Sequence, residues 1–139
     1  MNKLKPLILT GLFVLVLSAS CKKIIEKKVE NMVMDAITSG EWIAEQYKEG
    51  DSNLSNQFLN YYFKFNSNRT ITGTVNGSAT DGIWEPNTTD FTIFTDFPTA
   101  ADPVKKLNGL WKIKDSDWDY VKAEMPTANG TKLLILRKK

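Results

Sequence analysis

The chain has 139 residues, with 18 basic and 16 acidic side chains, no histidine and a single cysteine. Residues 1–20 read as a removable export segment that takes Lys3 and Lys5 with it, so 119 residues remain from Cys21 onward with 16 basic and 16 acidic side chains. That near-neutral balance excludes the broad basic surface a nucleic-acid binder needs, the length allows one domain of ordinary size, and the histidine and cysteine counts exclude His-based triads, Cys/His catalysis, Cys/His zinc sites and internal disulfides. A non-enzymatic monomer without cofactor or metal is the expectation.

At the N-terminus, residues 7–17 form an apolar run of 11 broken only by Thr10 and Gly11. A helix crossing a bilayer takes ~20 such residues, so the run fits the core of an export signal instead. Ser18, Ala19 and Ser20 then precede Cys21. Small residues there admit ordinary cleavage that leaves a free thiol, or lipidation of the cysteine. Leu17-Ser18-Ala19-Ser20-Cys21 resembles the lipobox of bacterial lipoproteins, and a lone cysteine has no internal partner to explain it otherwise. The resemblance implies palmitate-type acyl chains on Cys21 that anchor the protein to a membrane without spanning it. With Lys22 rather than aspartate after the cysteine, it further implies the outer membrane, facing the periplasm, with the cell surface as the other possibility.

Residues 21–39 form the tether. Ile25, Val29, Met32, Val33, Ala36 and Ile37 recur at helical spacing and predict an amphipathic helix that Gly40 terminates. Lys22, Lys23, Lys27 and Lys28 give its start a basic character suited to anionic headgroups, whereas the apolar stripe suits packing against the next domain.

Beyond Gly40 the period changes to alternation, with turn residues every ten or so positions. Eight strands are predicted at 41–48, 57–65, 69–75, 80–85, 89–95, 108–114, 118–125 and 131–138. Most links are short enough for hairpins, so successive strands should be antiparallel neighbours. The longer link contains Pro98 and Pro103, and its residues 102–107 suit one helical turn over an opening. Eight up-and-down strands in the segment 40–139 most simply close into a small all-β barrel, because closure removes exposed edges. On the second strand Leu59, Tyr61, Phe63 and Phe65 share one face. Tyr61, Phe63, Trp84, Trp111 and Ile113 are the expected interior, lining a ligand cavity or filling it.

Gly40-Glu41-Trp42 at the first strand resembles the Gly-X-Trp signature of lipocalins, and the eight-strand order agrees with it. The stretches Phe63-Lys64-Phe65, Gly82-Ile83-Trp84 and Gly109-Leu110-Trp111-Lys112-Ile113 look like the small lipocalin-like domains of bacterial lipoproteins. The resemblance covers about residues 40–138. It implies an eight-stranded lipocalin-like barrel after one helix, with Trp42 closing the base and Arg137 packing over its ring.

No catalytic arrangement stands out. Asp115, Asp117 and Asp119 alternate like the opening of a calcium loop, but Tyr120 and Pro126 stand where such a loop needs glycine and glutamate, so a solvated hairpin is expected. Glu85, Asp90 and Asp96 have no spacing that fixes a carboxylate pair. The function expected is therefore non-enzymatic: a membrane-anchored barrel that binds a small apolar ligand or an envelope protein, or a solid barrel with a structural or inhibitory role exerted through protein–protein contacts.

Overall fold

The computed structural model describes Lys28 and residues 30–139. The export segment 1–20, Cys21, the remaining basic residues Lys22, Lys23 and Lys27, and the stripe positions Ile25 and Val29 lie outside the described residues. The chain divides into two compact units between Val33 and Met34. In the first, Lys28 and residues 30–33 are helical, and Met32 of the expected apolar stripe is exposed. The second, from Met34 to Lys139, contains the barrel and everything that follows.

Residues 34–38 are a helical turn that ends on Thr38, whose hydroxyl donates to the Met34 carbonyl. Gly40, at φ +75°, redirects the chain into the sheet, a left-handed conformation that costs glycine no Cβ clash. The strands are β1 (Trp42–Glu49), β2 (Ser52–Asn53), β3 (Tyr61–Phe65), β4 (Thr70–Val75), β5 (Ser78–Asn87), β6 (Thr92–Asp96), β7 (Gly109–Asp117), β8 (Tyr120–Thr127) and β9 (Gly130–Lys138). From β3 to β9 each strand pairs antiparallel with the next, and β1 joins β3 on one side and β9 on the other. The sheet therefore closes into an eight-stranded antiparallel barrel, with β2 a two-residue return against the end of β1.

The closing ladder runs from Trp42↔Lys138 to Glu49↔Lys132 and is interrupted once, by a bulge between Ala44 and Gln46. The β1–β3 seam has a single register pair, Trp42↔Phe63. Farther along, the turn after β1 covers its edge: the Tyr47 N–H donates to Ser55 Oγ at 2.9 Å, and the Leu54 N–H donates to the Tyr47 carbonyl at 2.9 Å.

Two predicted strands are shorter in the structure: the fifth begins at Thr92, after a turn over 88–91 in which Phe91 has φ +54°, and the second begins only at Tyr61. Residues 57–60 are not strand; Ser55–Phe58 is a 3-10 turn, and Asn60 at φ +68° resets the chain before β3 begins. Alternation is broken there, so Leu59 is exposed while Phe58 is buried against Tyr47, with ring centroids 5.1 Å apart. The helical turn expected within 102–107 is present as the 3-10 turn Val104–Leu107, with Val104 and Leu107 buried.

Trp42, Tyr47, Phe63, Ile71, Trp84 and Phe97 are the largest fully buried side chains. Two inward-facing glycines make room for the rings. A Cβ on Gly73 would stand 2.9 Å from the Phe63 ring, and one on Gly82 would stand 2.9 Å from the Phe97 ring and clash with the Asp96 carbonyl oxygen. Because a backbone oxygen in a paired strand has little room to retreat, Gly82→Ala should cost ~1–3 kcal/mol by overpacking. Chemical denaturation should show a lower midpoint with an unchanged slope; equal stability would mean that β5 and β6 can separate locally.

Candidate functional site

The barrel interior is the site to which alternation sends the sequence's aromatics. Phe63 and Phe65 on β3, Ile93 on β6, Trp111 on β7, Ala123 on β8 and Leu134 on β9 converge on it, and the cavity they help to line is only ≈ 40 Å³. Of the five expected interior residues, Phe63, Trp111 and Ile113 line this cavity and Tyr61 and Trp84 do not. Tyr61 is half-buried, its ring stacked on Phe63 with centroids 6.2 Å apart. Trp84 is buried near the turn after β3, where its indole N–H donates to the Asn66 carbonyl at 2.9 Å and its ring meets the edge of Phe65 at 5.3 Å.

Thr95 is the buried polar residue in this wall, and its hydroxyl donates to the Leu107 carbonyl, which also accepts the Trp111 indole N–H at 2.8 Å. Among the described residues, no buried side-chain nitrogen or oxygen lacks a partner. The interior thus holds no spare polar group with which to orient a ligand, and too little space for one.

At the end where β1 begins, Ile37 is 7% exposed, and the Trp42 indole N–H donates to its carbonyl at 2.9 Å. Lys64 Nζ reaches the carbonyls of Thr38 and Gly40 at 3.4 and 3.5 Å. Trp42 therefore sits at the base as expected, but Arg137 does not cover it. The cation over the Trp42 ring is Lys138, 5.3 Å from its centroid. The reason is strand alternation: Lys138 pairs directly with Trp42 and shares its face, whereas Arg137 pairs with Ile43 and projects from the outer wall. There Arg137 donates to Glu45 at 3.0 Å and lies 4.8 Å over the Tyr120 ring.

This barrel is similar in fold to a DUF4847 family protein. That protein, from Bacteroides vulgatus ATCC 8482, aligns with a TM-score of 0.53 at 14% identity over 74% of this chain and 95% of its own. An uncharacterized protein from Bacteroides eggerthii DSM 20697 aligns with a TM-score of 0.51 at 14% identity, over 73% and 99% respectively. No family model matches the chain, and no curated protein matches it.

The carboxylates weighed in the sequence do not assemble. Among the described residues no group of three or more metal-ligating side chains comes together. Asp117 accepts the Asp119 backbone N–H at 3.0 Å, which makes it part of the hairpin turn. Asp90 accepts from Asn87 in another turn, and Glu85 faces outward from β5.

The opposite end holds a titratable group that the sequence did not single out. Tyr47 is fully buried, and its hydroxyl donates to Glu49 Oε1 at 2.7 Å. Burial first, then the hydrogen bond to and charge of Glu49, push its phenol well above the ordinary tyrosine range. A raised folded-state pKa contributes stability that is whole below the unfolded-state pKa, ~10, and is lost as pH climbs past it toward the folded value. Denaturation of the wild type should therefore become easier above about pH 10, and Tyr47→Phe should flatten that alkaline decline while losing ~1 kcal/mol at neutral pH from the missing hydrogen bond. Parallel declines in both proteins would assign the alkaline sensitivity to other groups.

Proposed function

We propose that the protein is a lipid-anchored, non-enzymatic envelope module with a solid barrel that acts through its outer wall by docking on another protein. The interior volume carries this reading: ≈ 40 Å³ is far below the ~300–1,000 Å³ of small-molecule pockets. With Trp42 and Ile37 buried at one end and Tyr47, Phe58 and Phe97 buried toward the other, the barrel has no space for a small apolar ligand.

The outer wall offers an apolar patch in its place. Ile83 on β5, Phe94 on β6 and Leu110 on β7 are exposed; Phe94 stands directly opposite Leu110, and Ile83 is opposite Asp96, two positions from Phe94. Asp81, Glu85 and Asp96 border it across β5 and β6, while Lys112 borders Leu110 on β7. An apolar centre with a mainly acidic rim fits a protein partner whose own apolar patch is edged by lysine or arginine, and fits an anionic lipid surface poorly.

Photo-crosslinking from position 94 of the full-length protein in its cells should capture a partner protein. Phe94→Ser with Leu110→Ser should weaken that association by ~2 kcal/mol or more, while changing stability by no more than ~0.5 kcal/mol per surface site. Crosslinks to lipid alone, or a stoichiometric apolar molecule extracted from the native barrel, would overturn the reading.

The anchor is tested separately. Labelled palmitate should incorporate into the full-length protein and be lost in Cys21→Ser, with the variant leaving the membrane fraction; labelling that survives would place the acyl chain elsewhere or remove it from the proposal.

A further inference from the structure

A second concavity lies on the opposite wall of the barrel, outside the patch on β5 to β7. Glu45 and Gln46 on β1, Asn53 on β2, Ser55, Tyr120 on β8, and Ile135 with Arg137 on β9 line an open surface cleft of ≈ 470 Å³. Its shape comes from two irregularities. The bulge in β1 leaves Ala44 facing inward and Tyr47 buried, so Glu45 and Gln46 are set side by side on the outside. The return through β2 and Ser55, which replaces most of the β1–β3 pairing, then raises one rim.

The polar groups are held in place and only partly used. Arg137 spends its Nε on Glu45 and rests its plane on Tyr120, so the guanidinium is fixed from two directions. Among the described residues its two terminal nitrogens have no hydrogen-bond partner, and neither has the Gln46 amide. Glu45 uses one carboxylate oxygen and keeps the other. Asn53 Oδ1 accepts the Ser55 backbone N–H at 3.1 Å, and its NH₂ group has no hydrogen-bond partner among the described residues. Ile135 provides an apolar floor.

Charge decides the class of ligand. Glu45 and Arg137 cancel; Lys122, opposite the floor residue Ile135, is in turn opposite Asp115, and Lys48, two positions from Gln46, is offset by Asp117, which is held below the usual carboxylate range first by the Asp119 N–H and further by Arg137, so the cleft and its surround carry no positive excess to favour an anion. The remaining groups alternate acceptor and donor on planar side chains: the Glu45 oxygen beside the Arg137 nitrogens, and the Gln46 amide with both functions. A hydroxyl both donates and accepts, so adjacent hydroxyls on a ring satisfy a carboxylate and a guanidinium together, and the C–H face of such a ring suits Ile135. We propose that this cleft binds a neutral polyhydroxylated molecule, the chemistry of a mono- or disaccharide.

The test is saturation-transfer and titration NMR on the full-length protein with glucose, galactose, mannose, N-acetylglucosamine, maltose and cellobiose, and with glutamate and inorganic phosphate as charged probes. At least one neutral sugar should shift the resonances of Glu45, Gln46, Ile135 and Arg137. Its affinity should fall about tenfold in Arg137→Lys, which keeps the charge but loses the fork, and in Gln46→Ala, which leaves the ion pair intact. Circular dichroism and thermal melting of both variants should match the wild type. Failure of every sugar in the panel, stronger binding of glutamate or phosphate, or equal affinity in the two folded variants would overturn the proposal.

Discussion

The barrel depends on the ladder between its first and last strands. Seven register pairs between β1 and β9 convert a chain of hairpins into a closed wall. Without them both strands would present unpaired N–H and C=O groups, the edge that β proteins must cover or remove. The opposite seam of β1 cannot substitute, since it meets β3 at one register pair and then gives way to the β2 return. Closure is therefore anchored at the C-terminal strand, and the rest of the fold adjusts around β1.

Two consequences of that arrangement bear on function. Inside, β1 sends Trp42, Ala44 and Tyr47 toward the axis, with Leu136 opposite Ala44 and Leu134 opposite Tyr47. These residues, the rings of Phe63 and Phe97 over Gly73 and Gly82, and Trp111 below the Val104–Leu107 turn leave almost no free volume. Burying so many aromatic rings in contact is favourable at roughly 25 cal/mol per Å² of apolar surface, and it removes the space a ligand would occupy. Stability and an internal binding site compete for the same volume, and in this barrel packing occupies it. Outside, the bulge that restores the inward direction of Tyr47 is the feature that places Glu45 and Gln46 together on the wall.

The tie between Trp42 and Ile37 links the base of the barrel to the segment that enters it. An indole N–H buried at 1% exposure must find an acceptor, and the end of a helical turn supplies carbonyls without intrahelical partners. Ile37 then becomes part of the core, and Lys64 fastens the following carbonyls from β3. The resemblance that singled out Trp42 concerned this base; its geometry assigns the covering cation to Lys138 because only that residue shares the face of Trp42.

The sequence by itself determined the architecture. Alternating apolar residues separated by turn-forming clusters specify eight short antiparallel strands, and local patterns of that kind survive folding because each depends on a few neighbouring residues. It also marked Phe63, Trp111 and Ile113 as interior, since each lies on the apolar side of its own strand. What it could not determine was anything that depends on register between distant strands. Whether Arg137 or Lys138 meets Trp42 turns on a one-residue offset between residues nearly a hundred positions apart, and a shift of one reverses every face. The loss of strand at 57–60 follows from the positive φ at Asn60 and the burial of Phe58, which an uninterrupted alternation of Leu59, Tyr61 and Phe63 concealed. Free volume is likewise a property of the assembled rings, so the filled interior and the cleft beside the β1 bulge were decided only by the tertiary structure.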